Sequence, residues 1–317
     1  MRGAFFRALT ELAERDERVH LVVGDLGFGV VETFAQRFPD RFLNAGVAEQ
    51  NMTGIAAGMA LSGKIVFTYS IANFPILRCL EQVRNDVCYH NANVKIVAVG
   101  GGLAYGSLGA THHATEDLAI LRCLPRMVVV APGDPAETEE ATHAVAAHDG
   151  PCYLRLGRAG EAKVHQGQID FQLGTALQVR DGKDFTLIST GGLLQTALQV
   201  VAILDHGGLR GRILSMHTLK PLDEESILAA ARQTSAIFTL EEHSVIGGLG
   251  GAVAEVLAES GEMPIAFKRF GLPSAFSSIV GTQEYLRARH GLSADRVAET
   301  IRSVLEKSRP AVIAARD

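Results

Sequence analysis

The chain has 317 residues, of which 47% are hydrophobic and 21% are charged, and its formal net charge is -5. This composition allows a large buried core and excludes wholesale disorder, and the length predicts about two domains of roughly 100–200 residues each. An acidic chain does not attract nucleic acid or an anionic membrane surface, so neither is expected as a partner.

The N-terminal sequence MRGAFFRALTELAERDER has the pattern of an amphipathic helix with scattered charges, so no signal peptide is predicted. The longest apolar stretch, residues 54–72, is interrupted by Lys64 and contains a strand-like segment, which argues against a membrane span. The four cysteines show no CxxC pairing and are expected to be reduced and mostly buried. Together these features predict a cytoplasmic protein.

After this first helix, short apolar runs alternate with helical patterns. The runs are continuous in Val and Ile, which is typical of strands that are covered on both faces of a parallel sheet. Asp134 and Pro135 predict a helix start, as the N-cap and the first helical residue. The predicted strands are 19–24, 65–69, 94–99, 127–131 and 152–156, and the predicted helices lie near 48–62, 75–91, 114–123 and 135–148.

A second alternating series follows a polar, glycine-containing linker at residues 161–170. Its predicted strands are 185–190, 212–216, 236–241 and 265–270, its helices are 193–206, 223–233 and 249–260, and residues 282–307 form two more helices. We therefore predict the α/β class, with two three-layer α/β domains at 1–160 and 171–317, the second of them smaller. No internal repeat is evident.

Three glycine clusters, GDLGFG (24–29), GGG (100–102) and GGLGG (247–251), lack the spacing of a dinucleotide-binding loop. Structural turns are the better interpretation of each. The histidines of THH (111–113), taken alone, favour an interpretation as surface caps. None of the histidines has metal-ligand spacing, so no metal held by this chain alone is predicted.

The segment LNAGVAEQNM (43–52) places Glu49 where a strand runs into a helix. A carboxylate at this position is, by itself, explained by ordinary helix electrostatics, because the N-terminus of a helix carries a partial positive charge. A catalytic use of Glu49 needs support from the surrounding motifs.

Four long motifs provide that support. They are RFLNAGVAEQNMTGIAAGMALSGKIVFTYSIANF, EQVRNDVCY, GATHHATEDLAILRCLPRMVVVAPGDPAE and EEHSVIGGLGGAVAEVL, in this order. Through them the chain resembles the C-terminal half of transketolases, and in particular the separate C-terminal subunit of split transketolases, over nearly its whole length. The resemblance implies the pyrimidine-binding domain of a thiamine diphosphate enzyme, followed by the smaller transketolase C-terminal domain.

The resemblance also implies cofactor-binding residues. Glu49 matches the glutamate that hydrogen-bonds ring nitrogen N1′ of the aminopyrimidine, where a carboxyl group held away from water can share a proton. Phe74 matches a ring that packs against the pyrimidine, and Ile71 stands where many transketolases have another aromatic residue. Asp25 matches an aspartate close to the cofactor, with a turn-capping role as its alternative.

Substrate contacts are implied in the same way. His112, and more weakly His113, match histidines at the reacting end of the sugar, where an imidazole can stabilise an alkoxide or move its proton. Arg7 and Arg158 align with arginines that grip the sugar phosphate, with solvated surface arginines as the alternative.

Two positions depart from the family pattern. Leu108 replaces an aspartate that meets the donor hydroxyls in many transketolases, and Gly100 stands where a phosphate-contacting histidine often lies. The resemblance therefore implies an anionic sugar as substrate, without naming a particular pentose phosphate.

The metal and diphosphate motif of the family, GDG with a downstream Asn, is absent from this sequence. The resemblance implies that an N-terminal partner subunit holds Mg²⁺ or another divalent cation together with the diphosphate. Thiamine diphosphate would then be shared at the subunit interface of an α2β2 heterotetramer. This chain alone would be catalytically silent, with a homodimer as an alternative state.

Two rival hypotheses remain beside a two-chain transketolase that transfers a ketol unit. One is a related thiamine enzyme, namely a chain like 1-deoxyxylulose-5-phosphate synthase or like the β subunit of a 2-oxoacid dehydrogenase. The other is a pairing or regulatory subunit that has lost catalysis. Glu49 and His112 argue against the second rival, whereas Leu108 and Gly100 leave room for it.

Overall fold

The chain folds around two β-sheets that are both covered by helices. The computed structural model describes residues 1–314, with side chains described as far as residue 308. The first half forms α1 (Arg2–Arg15), β1 (Val19–Val23), α2 (Glu32–Arg37), β2 (Phe42–Asn44), α3 (Glu49–Leu61), β3 (Ile65–Ile71), α4 (Leu80–Gln82) continued by π-helical turns (Val83–Tyr89), β4 (Val94–Val99), α5 (Asp117–Arg122), β5 (Val128–Val130), α6 (Pro135–Ala147) and β6 (Cys152–Leu156).

Residues 157–176 contain neither helix nor strand, and the predicted linker lies within them. The second half then forms β7 (Leu177–Arg180), β8 (Phe185–Ser189), α7 (Leu194–Asp205), β9 (Gly211–Ser215), β10 (Thr218–Lys220), α8 (Glu224–Gln233), β11 (Ala236–Ser244), α9 (Leu249–Ser260), β12 (Ala266–Leu272), α10 (Gln283–Arg289) and α11 (Ala294–Ala314).

The first sheet has the strand order β10-β5-β6-β4-β3-β1-β2. All neighbours are parallel except β10, which pairs antiparallel with β5. Every residue of β1, β4 and β6 is buried, because α1 and α6 cover one face of the sheet and α3 covers the other. The predicted parallel sheet with helices on both faces is confirmed.

The second sheet has the order β12-β11-β8-β9-β7, with only β7 antiparallel. Helices α7 and α11 pack on one face, and α8 and α9 pack on the other. The α/β class and the two three-layer units are therefore confirmed. Three short strands, β2, β7 and β10, were absent from the sequence prediction.

Strand β10 joins the two halves, because it comes from the second half of the sequence and extends the first sheet. Thr218 pairs with Val130, and the backbone N–H of Ala131 donates to the carbonyl of His217 over 2.7 Å. The ammonium group of Lys220 donates to the carbonyls of Arg122 and Leu124. The second half is thus anchored on the first by backbone hydrogen bonds as well as by side-chain packing.

Local predictions also hold at α6, where the Asp134 carboxylate accepts a 2.8 Å hydrogen bond from the Glu137 N–H and Pro135 is the first helical residue. The four cysteines are free; Cys123 is exposed and the other three are buried. Within residues 1–314, no helix has the length and apolar character needed to cross a membrane.

Candidate active site

Most of the predicted site residues lie at one edge of the first sheet, where the carboxyl ends of its parallel strands meet. Loops follow β1, β3 and β4 at this edge, and α3 begins just after β2. Since neighbouring strands end side by side, side chains far apart in the sequence are brought together here. Asp25, Glu49, Phe74 and His112 all come from these connections.

Glu49 is the first residue of α3, and its carboxylate is 2% exposed. A Cβ atom on Gly24 would lie 3.6 Å from Glu49 Cγ and 3.6 Å from Ser70 Oγ, so the end of β1 leaves room beside the carboxylate. The buried Ser70 hydroxyl has no hydrogen-bond partner among the described residues. Glu49 Oε2 accepts a 2.6 Å hydrogen bond from Arg78 Nη1.

A row of rings and guanidinium groups extends from this carboxylate. Arg78 Cζ lies 5.2 Å from the centroid of the Phe74 ring, and Phe74 meets the His112 imidazole edge-on at 5.4 Å. The centroids of the His112 and Tyr105 rings lie 6.4 Å apart. Arg158 Cζ lies 5.1 Å from the Tyr105 ring centroid, at the far end of the row. The structure therefore brings Glu49, Phe74, His112 and Arg158 together.

His113 has a different environment from His112. It is 4% exposed, and burial lowers the pKa of its imidazole, so the ring is neutral near pH 7. It lines a cavity of about 260 Å³ with His290 and the loop at residues 273–277. The side-chain amide of Asn73 donates to the backbone carbonyls of Thr111 and His113, which fixes the loop that carries both histidines.

A buried ion pair between Arg155 and Asp117 holds the loop that carries His112 and His113. The Arg155 guanidinium donates to both carboxylate oxygens of Asp117, over 2.8 and 3.1 Å, and to the carbonyl of Ala114. The Tyr153 hydroxyl donates to Asp117 over 2.5 Å. Burial opposes ionisation of Asp117, but the charges of Arg155 and His243 and the hydrogen bonds from Arg155 and Tyr153 together outweigh it, so the pKa of Asp117 is lowered. The base of the loop is therefore held by a fully paired charge network.

The structure gives a physical reason for one of the two departures from the family pattern. Gly100 has a φ angle of 84°, and a Cβ atom there would lie 2.1 Å from the Tyr105 ring. The aromatic ring fills the space that a larger side chain at residue 100 would need. Leu108 is 52% exposed, so an apolar side chain faces outward at the second departure.

Besides His113, three predicted residues lie outside this row. Arg7 donates to Glu139 on α6 over 3.1 Å and lines a separate hollow with Lys163. Ile71 packs with the core on the α1 side of the sheet, opposite the face that α3 covers. Asp25 is exposed with a φ of 53°, and its carboxylate accepts a 2.9 Å hydrogen bond from the Asn44 amide. Roles for these residues in binding stay predictions.

Sequence reasoning missed two residues of the site. Arg78 pairs with Glu49, and Tyr105 lies between His112 and Arg158. Burial raises the pKa of Tyr105, and the charges of Arg158 and Arg2 oppose that rise. Only the proximity of Tyr105 to the THH motif was visible in the sequence. Residues 1–314 contain no group of three or more His, Cys, Asp or Glu side chains that could hold a metal ion.

Comparison with known proteins identifies the family. Residues 1–160 match the description "Transketolase, pyrimidine binding domain", and residues 174–297 match "Transketolase, C-terminal domain". A solved structure described as "Split gene transketolase, inactive beta4 tetramer" is 40% identical and superposes with a TM-score of 0.89 over 96% of this chain and 98% of its own.

Three relatives of known sequence span nearly the whole chain. The "Putative transketolase C-terminal section" of Methanocaldococcus jannaschii is 40% identical, covering 97% of this chain and 96% of the relative. The "6-deoxy-6-sulfo-D-fructose transketolase subunit SqwH" of a Clostridium species is 38% identical, covering 97% and 95%. An apulose-4-phosphate transketolase subunit of Phocaeicola vulgatus is 38% identical, covering 96% and 97%. The chain therefore belongs to the transketolase family and corresponds to the C-terminal subunit of its split members.

The rival thiamine enzyme is more distant. The 1-deoxy-D-xylulose-5-phosphate synthase of Desulforudis audaxviator is 34% identical, and the match covers 96% of this chain but only 48% of the synthase. Transketolase-family subunits belong to transferases, and the family implies thiamine diphosphate as cofactor.

Proposed function

We propose that this chain is the C-terminal subunit of a two-chain, thiamine-diphosphate-dependent transketolase that moves a two-carbon ketol unit from a ketose to an aldose. The observation that carries the proposal is the buried Glu49 carboxylate at the start of α3, connected through Arg78 to Phe74, which in turn meets His112 edge-on at the same sheet edge. A carboxyl acid–base group, an aromatic surface and an imidazole are the side chains that this reaction needs from a pyrimidine-binding chain.

The residues at this edge fit an aminopyrimidine. Glu49 can share a proton with a ring nitrogen, and the absence of a side chain at Gly24 leaves space beside the carboxylate. The unpartnered hydroxyl of Ser70 offers a further polar contact, and Phe74 offers a flat apolar face. Bound thiamine diphosphate supplies the nucleophilic carbon that accepts the ketol fragment. Glu49 orients the ring and holds the proton at its nitrogen.

His112 acts on the sugar. Its imidazole is part-buried, Nδ1 lies 3.0 Å from the Thr111 hydroxyl, and the ring edge is fixed against Phe74. With one ring nitrogen engaged, the other is free to hold or move a proton at the carbonyl or hydroxyl oxygen of the donor. His113 is buried behind it and acts on the shape of the loop that carries His112.

The donor class is an anionic ketose. Arg158 is exposed beside Tyr105, so a guanidinium group lies beyond His112 at the solvent side of the row. Planar guanidinium groups suit phosphate and sulfonate oxygens. Two relatives carry names that specify a sulfo-sugar and a sugar phosphate, in keeping with this chemistry.

A partner subunit completes the site. The sequence lacks the GDG motif, so the diphosphate and its divalent cation are assigned to an N-terminal subunit, in an α2β2 complex. Loops at the site edge expose apolar side chains that a partner would cover. These are Phe28, Val47, Leu77 and Leu108, with exposed fractions from 48% to 75%. The relative described as an inactive β4 tetramer supports the proposal that this chain alone self-associates and is silent.

Two alternatives are retained because particular observations favour them. A chain related to 1-deoxyxylulose-5-phosphate synthase is favoured by the 34% identity to that synthase, and the β subunit of a 2-oxoacid dehydrogenase shares the same cofactor chemistry. A non-catalytic pairing subunit is favoured by the exposed Leu108 at a position where many transketolases carry an aspartate.

The test is co-expression with the product of a neighbouring reading frame that carries GDG and the downstream Asn. The purified complex is assayed with thiamine diphosphate and Mg²⁺ on ketose phosphates, ketose sulfonates and free ketoses, with pyruvate as control. We expect ketol transfer from an anionic ketose to an aldose. Turnover of pyruvate alone would support the synthase-like alternative, and a stable complex inactive with every donor would support the pairing subunit.

A further inference from the structure

Arg78 is placed where the proposed function would put the cofactor. Its Nη1 atom donates to Glu49 Oε2 over 2.6 Å, the shortest contact that Glu49 makes to another side chain in the described part of the protein. The two partners differ in accessibility, because the Glu49 side chain is 2% exposed and that of Arg78 is 50% exposed. The ion pair therefore reaches from solvent into the buried carboxylate.

The same guanidinium group also covers Phe74. Arg78 Cζ lies 5.2 Å from the centroid of the Phe74 ring, within the range of a cation–π contact. A guanidinium group is flat, carries N–H donors at its rim and stacks on aromatic faces. These are the properties with which an aminopyrimidine would meet a carboxylate and a phenyl ring. Arg78 therefore contacts both Glu49 and Phe74, the two side chains that the proposed function assigns to the aminopyrimidine.

Little else holds the Arg78 side chain in place. Its bond to Glu49 is the only hydrogen bond that its guanidinium makes among residues 1–314. The residue lies in the turns between β3 and α4, outside regular secondary structure. Because half of the side chain already contacts solvent, it can move outward without breaking core packing.

We propose, resting on the proposed function, that Arg78 is an internal plug that occupies the aminopyrimidine contacts of Glu49 and Phe74 until the cofactor displaces it. Cofactor binding exchanges one hydrogen-bond donor at Glu49 for another, and the charged guanidinium group moves into water. The plug keeps a buried carboxylate paired in the cofactor-free chain, since an unpaired buried charge is strongly unfavourable.

A plug of this kind raises the apparent Kd of the cofactor, because that Kd equals the intrinsic Kd divided by the fraction of molecules in which the plug is open. A half-exposed ion pair and one cation–π contact together are modest interactions, so we expect removal of Arg78 to tighten binding by about fivefold to thirtyfold. Binding should also become faster, because displacement of the side chain no longer precedes it. If Arg78 were instead a permanent support for Glu49, its removal would weaken binding.

The experiment titrates thiamine diphosphate, with Mg²⁺, into the complex of this chain with its N-terminal subunit, by calorimetry and by stopped-flow fluorescence. We expect Arg78→Met to lower Kd and to raise the association rate, and Arg78→Lys to give a value between Met and wild type. Arg84→Met, in the exposed Arg84 further along the same segment, is the matched control and should leave both quantities unchanged. The melting temperature of each isolated chain verifies the fold.

Failure of the plug and failure of the proposed function give different results. If the wild-type complex binds the cofactor and Arg78→Met binds it equally well or more weakly, the plug is refuted and the transketolase assignment stands. If the wild-type complex binds no thiamine diphosphate, both proposals are refuted.

Discussion

The imidazole of His112 meets the Phe74 ring edge-on, with 5.4 Å between the two ring centroids. Edge-to-face contact is favourable for aromatic pairs, and it fixes the orientation of His112 relative to the proposed cofactor position. The contact joins the loop after β4 to the turns after β3, so two separate strand ends contribute to the candidate active site.

Replacing His112 should therefore impair chemistry rather than cofactor binding. We expect His112→Asn in the complex to lower kcat/KM for ketol transfer by about 10²–10⁴-fold, the usual contribution of a positioned acid–base group. Thiamine diphosphate affinity should be unchanged, because the proposed contact of His112 is with the sugar. His90→Asn, at an exposed histidine that bonds to the Asn85 carbonyl, serves as control. An unaltered rate in His112→Asn would remove this residue from the mechanism.

The two predicted anion-binding arginines should behave differently. Arg158 lies beside Tyr105, whereas Arg7 is paired with Glu139 in a separate hollow. We expect Arg158→Met to raise KM for a phosphorylated or sulfonated ketose by about tenfold to a hundredfold, as for a lost hydrogen bond to a charged group, with little change for a neutral ketose. Arg7→Met should have a smaller effect. The reverse order, measured in steady-state kinetics, would show that Arg7 grips the anion.

The Gly100–Tyr105 contact can be tested through stability. Gly63 has nearly the same positive φ, 89°, but nothing lies within 4 Å of its missing Cβ atom. Gly63→Ala should therefore lower the free energy of unfolding through backbone strain alone, by about 1–2 kcal/mol. Gly100→Ala should lower the free energy of unfolding, measured in urea, by about 1–3 kcal/mol more than Gly63→Ala does, because the new methyl group collides with the Tyr105 ring.

A double variant separates the collision from the backbone strain. Gly100→Ala combined with Tyr105→Ala should be less destabilised than the sum of the two single variants. Equal losses in Gly100→Ala and Gly63→Ala would show that the ring moves away at no cost.

Much of the fold could be predicted because buried parallel strands leave a strong signal. The Val-rich runs at β1, β4 and β5 predicted the first sheet, and the alternating series after residue 170 predicted the second. Strands β2 and β10 have three residues each, too few for a pattern to appear. The place of β10 depends on pairing with β5, about 90 positions away along the chain, which local sequence does not encode.

The site was predictable where a motif carries a residue type that the chemistry demands, as for Glu49 and His112. Arg78 was missed because an arginine in a turn has the composition of a solvated surface residue, and only its distance to Glu49 reveals another role. The Gly100–Tyr105 contact was missed for a similar reason. The sequence shows Gly100 as a departure from the family pattern. It does not show that the Tyr105 ring, five positions further on in a loop, fills the space beside this glycine.

Acid should destabilise the junction between the two halves through His217. This imidazole is fully buried and stacks on Phe171 at 4.0 Å. Burial lowers its pKa to about 4, although the charge of Glu137 opposes the shift. Below the unfolded pKa of about 6.5 only the unfolded chain takes up the proton, so stability falls from about pH 6.5 to pH 4, by about 3 kcal/mol from this group.

The check is the free energy of unfolding of the isolated chain between pH 7.5 and pH 4. His217→Phe, which keeps an aromatic ring against Phe171, should reduce the loss of stability over this range by about 3 kcal/mol, the share of His217, and His90→Gln should leave the loss unchanged. An identical slope in His217→Phe would assign the acid sensitivity to other groups.

The central claim is that Glu49 serves the cofactor as an acid–base group, and turnover of Glu49→Gln in the assembled complex tests it most directly. The substitution keeps the shape of the side chain but removes its ability to share a proton with a ring nitrogen. Glu81→Gln, at an exposed glutamate nearby, is the matched control. We predict that the Glu49→Gln complex assembles normally and loses at least about a hundredfold in kcat, while Glu81→Gln retains wild-type turnover. A Glu49→Gln complex that transfers ketol units at the wild-type rate would contradict the account.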